Sequence, residues 1–527
     1  MVMAAGPICH SLNRLRESMR KMHQANCYTQ SAFNVLDYGA VGDGQALNTQ
    51  AIQAAIEACR VAGGGTVHVP AGAYVTGPIF FRSDVTLHLD AGAALLGSEN
   101  LADYPVVNGR WEGVDQKTYA PLIAGSDLSN IAIVGRGTIN GRGAWWWKMH
   151  KEKTLAHPRP RLISFSNCTN VLIEGITATN SPAWTIHPNH CDNVMVDKVT
   201  VINPADSPNT DGINPDSCHN VRISNCYIGV GDDCITIKSG TPANGRDRLA
   251  PCENITITNC TMAHGHGGVV IGSEMSGGVR NVVISNCVFT GTDRGIRIKS
   301  RRGRGGVVED IRVTNIIMED VLCPLTLNSY YACGAWGDKT VADKRPHPVT
   351  DGTPRFRHIH LSHITARRAK YAAAFLYGLP EMPVEDISLN DISISMSPDA
   401  GAGYPEMADD MELMQRAGLF VRNARGLRLR DVEVTGQLGP ALTLADTADV
   451  DIGACAMRTP STDAAVICMT NVDGAFVHGC QASAGTGTFL RVSGENTQSI
   501  VLEGNHLSRA QRPIGLAEDV HSGAVRV

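Results

Sequence analysis

A repeat limits the fold of this chain more than any other feature. Segments that read Asn, aliphatic, any residue, aliphatic begin at Asn170, Asn193, Asn220, Asn254 and Asn281. Variants begin at Asp84, Asn130, Asp310, His358, Asp386, Gly426, Asp449, Gly474 and Ser499. Asn170 to Asn193 spans 23 residues and Asn281 to Asp310 spans 29, and the wider gaps imply loops inserted into equal units. A fixed period of this size, built from short alternating runs such as Val221-Arg222-Ile223-Ser224, describes a solenoid. Helical repeats of similar length need long amphipathic segments, and none occur here. The expected fold is therefore all-β, a single-domain parallel β-helix over residues 31–527.

Cysteine follows the same period. Cys226, Cys260, Cys287, Cys455 and Cys480 each sit six residues after an anchor, where other units carry Ile or Val. Cys168, Cys191, Cys218 and Cys252 each sit two residues before one. These positions read as small buried apolar residues, not as a disulfide framework or a metal site. Asn225, Asn259 and Asn286 form a further row, as an amide ladder at a turn would. At the front of the solenoid, Asn48 reads as a helix N-cap, Ile52, Ala55, Ile56 and Cys59 as one apolar face, and Gly63-Gly64-Gly65 as the stop. Such a helix would cap the open end of the sheet.

Bulk properties exclude some classes. A net charge of -5 and a pI near 6.4 give no ground for expecting nucleic acid or membrane as partner. No apolar run is long enough to cross a bilayer. Residues 1–30 read as an N-terminal extension without the apolar stretch of a secretory signal, and the many cysteines suit a reducing compartment, so the expectation is a cytoplasmic protein. Oligomeric state is left open.

Four short motifs fall in order on the repeat: Asn209-Thr210-Asp211, Gly231-Asp232-Asp233, Gly265-His266-Gly267 and Arg297-Ile298-Lys299. Aligning the coils puts Asp211 and Asp233 at equivalent positions one strand spacing apart, with Asp232 and His266 in the neighbouring row. His187, Asn214, Thr236 and Arg297 then share one outward row, and Asn189, Asp216, Lys238 and Lys299 the next. Asp and Gly favour turns, so any single Asp-Gly is ordinary turn chemistry. Stacked carboxylates beside an imidazole are a different matter, because like charges so close raise at least one pKa and leave a protonated acid beside ionised bases. The adjacent cations oppose a metal in that cluster, and neither metal nor cofactor is expected.

The four motifs in this order resemble glycoside hydrolase family 28, the polygalacturonases and their pectin-cleaving relatives. The resemblance implies a right-handed β-helix and hydrolysis with inversion. It implies that Asp232 is the general acid, that Asp211 and Asp233 hold and deprotonate the water, and that His266 tunes the acid. It implies that Arg297 and Lys299 bind substrate carboxylates and that Tyr330, with Tyr331 as competitor, supplies the family's tyrosine. Asn209, Lys238 and His187 are added as candidates for the binding strip. The expected partner is an anionic pectic oligosaccharide or polysaccharide. Insertions at Trp111, Trp145-Trp146-Trp147 and Tyr330 to Thr350 are expected to wall one end of the cleft and make attack exo-acting. The alternatives weighed are an endo-polygalacturonase, a rhamnogalacturonan-active hydrolase, a calcium-dependent lyase and a non-catalytic glycan-binding module.

Overall fold

The computed structural model describes residues 32–459 and 462–527, so the N-terminal extension lies outside the described residues. The chain winds as a right-handed parallel β-helix from Ala32–Asn34 to Val525–Arg526. Each coil contributes strands to three faces. One face runs through Gly65–Val69, Val85–Leu89, Ser129–Gly135, Thr169–Glu174, Asp192–Asp197, His219–Ser224 and Cys252–Thr258. A second runs through Thr138–Asn140, Thr177–Thr179, Thr200–Ile202, Tyr227–Gly229 and Thr261–His264. The third carries the four motifs. It passes through Ile163–Ser166 and Ile186–Asn189, then bridges at Ile213 and Asp216, then Asp233–Ile237, Gly267–Gly272, Arg294–Lys299 and Cys323–Asn328.

The repeat anchors have a backbone cause. Every anchor from Asp84 to Ser499 has a left-handed φ, from +51° at Asp386 to +79° at Gly474. Asn, Asp and Gly enter that region at least cost, so the turn selects the residue and the residue spells the repeat. The side chains then stack: Asn193 donates to Asn170 at 2.7 Å, and Asn170 to Asn130 at 2.8 Å. Asn225, Asn259 and Asn286 adopt the same conformation, at +56° each, and Asn259 donates to Asn225 at 3.5 Å.

Between these turns the inward side chains are aliphatic or thiol. Cys168, Cys191, Cys218, Cys226, Cys252, Cys260, Cys287, Cys455 and Cys480 are all buried and free, as their periodic spacing predicts. Thr49–Val61 forms the capping helix and buries Ile52, Ala55, Ile56 and Cys59. Asn48 does not cap it by side chain. Its Oδ1 instead accepts from the Val41 amide at 2.6 Å, and its Nδ2 donates to the Ala46 carbonyl at 2.6 Å, closing the loop before the helix.

The insertions differ from one another. Val106–Trp111 and Val114–Tyr119 form an antiparallel hairpin over the motif face. The Trp145-Trp146-Trp147 segment lies in a helix, Gly143–Lys151. Trp146 is fully buried against Tyr104 and Tyr119, with ring centroids 4.9 and 5.4 Å away, and Trp145 packs on the core. This helix is a packing element and does not wall the cleft, contrary to the sequence expectation. Three consecutive indoles on a helix point in three directions, so they cannot all face one site.

Candidate active site

The three aspartates meet where the motif face bends around its turns. A carboxylate oxygen of each of Asp211, Asp232 and Asp233 lies within 4.8 Å of the others. The motif glycines allow this approach. A Cβ at Gly231 would sit 2.2 Å from the Ser207 carbonyl oxygen. One at Gly265, where φ is +151°, would sit 2.5 Å from that of Asp232. Thr210 ties two motifs together, its hydroxyl accepting from the Gly231 amide at 3.1 Å. Arg159 holds the first motif from behind, donating to Asn209 Oδ1 at 2.6 Å and to the Pro208 carbonyl at 2.7 Å.

The environments of the three carboxyls push them apart. Asp233 accepts from Lys299 Nζ at 2.7 Å and Arg297 at 3.2 Å. Burial would raise its pKa, but those two cations outweigh it and hold the carboxyl well below the usual range. Asp211 accepts from Asn214 Nδ2 at 2.8 Å, and its ion pair among the described residues is a long one, with Lys238 at 4.0 Å. Burial, followed by the charge of Asp232, pushes it up to about 7. Asp232 is the most open of the three, with its side chain 21% exposed, and takes the Asp233 amide at 2.9 Å and His266 Nδ1 at 3.3 Å. That contact raises the imidazole of His266. The cluster thus keeps a proton on Asp211 into the neutral range beside Asp233, which stays ionised.

Around this cluster lies a cleft of about 540 Å³. Lys299, Arg301 and Arg304 line it on the side of the later coils, and Tyr331 covers the floor, its ring 5.0 Å from Lys299 Nζ. Trp184 and Trp111, from the hairpin, line it on the side of the earlier coils. Three carboxylates this close are able to hold a cation, yet Asp233 is already neutralised by Lys299 and Arg297. The donor set therefore suits a carbohydrate cleft better than a metal centre.

The family model for glycosyl hydrolases family 28 matches residues 59–403. The chain is 36% identical over 382 residues to a probable polygalacturonase of Vitis vinifera, covering 71% of this chain and 76% of the relative. The chain belongs to family 28. An endo-polygalacturonase of Pectobacterium carotovorum subsp. carotovorum is 32% identical over 304 residues, covering 54% of this chain and 72% of the relative. Among solved structures, an exopolygalacturonase from Thermotoga maritima superposes with a TM-score of 0.66 at 30% identity. That match covers 77% of this chain and 91% of the other.

Within this family 28 site, Asn209, Asp211, Asp232, Asp233, Lys238 and Lys299 line the cleft together, and His266 stands on Asp232. Three of the residues read from sequence lie elsewhere. Tyr330 is buried among Tyr377 and Phe375, and Tyr331 is the tyrosine in the cleft. Arg297 is 1% exposed and occupied by Asp233 and Glu406, with Glu406 at 2.7 Å, so it braces the site from below. His187 shares the outward row but is covered. It lies 3.6 Å from Asp216 and edge-on to Trp184 at 5.0 Å, and burial lowers its pKa to about 4. The hairpin roofs that part of the strip through Arg110, which reaches Asp216 at 3.3 Å.

The sequence reading missed Glu274, Glu406, Trp184 and Arg301. Glu274 accepts from Lys238 at 2.8 Å and Glu406 lies far along the chain, and neither repeats with the period. Arg301 was the accessible omission, because the basic run continues past Lys299 into the following turn.

Proposed function

We propose that the protein hydrolyses α-1,4-linked galacturonan with inversion and removes sugars from a chain end. The observation that carries this is the split environment of the aspartates: Asp233 held ionised by two cations, Asp211 pushed up to about 7 by burial, and Asp232 open beside His266, all facing one anion-binding cleft. Inversion needs an acid on the leaving oxygen and a base on a water across the ring. Asp232, open to the cleft and steadied by His266, delivers the proton to the glycosidic oxygen. Asp211 and Asp233 hold the water. The spacing within 4.8 Å is shorter than the ~6.5–9.5 Å usual for inverting pairs, so the water sits within the cluster and not across a wide gap.

Lys299, with Arg301 and Arg304 beside it, gives the cleft its preference for uronic acids, since cations offer charge-assisted hydrogen bonds to carboxylates. Lys299→Ala should lower kcat/KM on oligogalacturonides by about 10- to 100-fold, from the loss of one charged hydrogen bond. Methyl-esterification of the substrate should reduce the wild-type rate in the same direction. Equal cleavage of free and esterified oligomers would contradict carboxylate recognition.

Exo attack is favoured by the hairpin lying across the earlier-coil end of the cleft. The test is product chromatography from long polygalacturonate. Monomer or dimer should appear from the first minutes while viscosity falls slowly. A fast viscosity drop with mixed mid-length products would make the enzyme endo-acting.

A further inference from the structure

A second cavity lies beneath the hairpin, where the motif face continues into the earlier coils. Its floor belongs to a parallel patch of four strands, Ile79–Phe80, Ile123–Ser126, Ile163–Ser166 and Ile186–Asn189. In the catalytic cleft one outward row of this face carries Lys238 and Lys299. Farther back the same row reads Ser126, Ser166 and Asn189, and its neighbour reads Ala124, Ser164 and His187. These small side chains under the hairpin strands leave a space of about 270 Å³. Asn108 and Ser126 are exposed at its edge, so it opens to solvent. The roof is pinned at both ends. At the root Arg110 donates to Asn189 at 3.1 Å, and at the tip Asn244 Nδ2 donates to the Gly113 carbonyl at 2.9 Å.

Arg82, Arg110, Arg159 and Arg161 line this space, and among the described residues no carboxylate does. Two of these arginines are paired elsewhere, Arg82 with Glu57 at 3.2 Å and Arg110 with Asp115 at 2.8 Å and Asp216 at 3.3 Å. Arg159 and Arg161 are buried and make no ion pair within 4.0 Å among the described residues. Arg159 engages the Pro182 and Pro208 carbonyls and Asn209. Arg161 is far less satisfied. Its Nη2 donates to the Arg110 carbonyl at 2.9 Å, while its Nε is buried without a partner. Burial pulls its pKa down to about 9, so it keeps its charge at neutral pH. Charges taken out of water are normally paired, so Arg161 stands short of a countercharge. His187 Nε2, at the same floor, is also buried without a hydrogen-bond partner.

A partition separates this space from the cleft. Trp111 and Trp184, which line the cleft, clasp the Arg161 guanidinium with their ring centroids 4.4 and 4.3 Å away. The lining defines what would fit behind it. A guanidinium without a countercharge calls for a carboxylate, which it can grip by charge-assisted hydrogen bonds. The serine hydroxyls and Asn189 offer donors and acceptors side by side, as a ring bearing several hydroxyls requires. A volume of about 270 Å³ lies at the small end of ligand sites, which run to ~300–1,000 Å³, so it suits one sugar and not a chain.

We propose that the cavity under the hairpin is a second anion site, distinct from the catalytic cleft, that binds one uronic acid monosaccharide with its carboxylate on Arg161 and its hydroxyls on the serine floor. This goes beyond the hydrolysis proposed above, under which the released sugar is the natural occupant. Titration of galacturonate into the Lys299→Ala protein, whose cleft has lost a carboxylate anchor, tests it. One equivalent should bind. Galactose, which lacks the carboxylate, and acetate, which lacks the ring, should each bind at least about tenfold more weakly, the scale of a lost hydrogen bond to a charged group. Adding Arg161→Gln should weaken galacturonate binding by at least about tenfold for the same reason. Adding Ser166→Leu instead fills the floor, leaves Arg161 in place and should weaken binding as much, which guards against a folding defect at Arg161. Equal binding of acetate would make this a general small-anion site and overturn the assignment, and equal binding of galactose would remove the anion from it. Absence of binding to Lys299→Ala, or an affinity that neither added substitution alters, would also overturn it. Binding is measured without turnover, so a failed cleavage assay would defeat the hydrolytic reading and leave this one standing.

Discussion

Asp232→Asn is expected to fold normally and to lose at least ~10²-fold in kcat/KM on oligogalacturonides. The amide is nearly isosteric, can still take the Asp233 amide and His266 contacts, and cannot give a proton to the leaving oxygen. An aryl galacturonide with an acidic phenol needs no such proton, so the same variant should keep much more of its activity on that substrate. A pH profile adds a second signature. Asp211 is raised to about 7 by burial and by the Asp232 charge, and it must give up that proton to act as base on the water, so wild-type activity should rise as pH rises through that value. Removing the Asp232 charge lowers Asp211, so in the residual activity of the variant the acid limb should move to lower pH. A near wild-type rate on oligogalacturonides, in a properly folded variant, would remove Asp232 from the acid role. So would an equal loss on the aryl substrate.

The parts of this fold that could be read in advance are those that repeat. A left-handed turn at the same point of each coil admits few residue types, so fourteen anchors from Asp84 to Ser499 leave a visible period. Strand alternation then fixes which side chains share a row, and the observed register of Asp211 with Asp233, and Asp232 with His266, follows from it. Alternation ends where strands end. Asn328 closes its strand with a side chain that accepts from the Tyr330 amide at 2.9 Å, and this turn sends Tyr330 into the core and Tyr331 into the cleft. Nothing in a two-residue period distinguishes neighbours beyond that point. Insertions obey no period at all, which is why the Trp145 helix and the hairpin looked alike in sequence and proved different in packing. His187 was placed in the correct row, but rows do not reveal a roof contributed by residues 106–119.

The largest stability effect is expected at a residue that sequence could not connect to the site. Glu406 is fully buried and grips Arg297 at 2.7 Å and Arg294 at 3.4 Å, across more than a hundred residues of chain. Burial alone would raise its carboxyl, but the two guanidinium groups outweigh that and hold it below its ordinary value. Glu406→Gln leaves Arg294 and Arg297 short of a countercharge in a site closed to water. Removing one partner of a buried pair typically costs about 3–5 kcal/mol, far more than the net worth of the intact pair. Asp386→Asn provides the control. It loses a surface ion pair with Arg428 on exposed side chains, keeps a residue type that accepts the left-handed turn, and should change stability by no more than ~1 kcal/mol. Because Arg297 also holds Asp233, the Glu406 variant should lose activity as well, through kcat more than through KM, since Glu406 does not line the cleft. Denaturant unfolding of the two variants side by side is the measurement. If Glu406→Gln unfolds at the wild-type midpoint, the Arg297 brace is not held by this carboxylate, and the support of Asp233 must come from Lys299 alone.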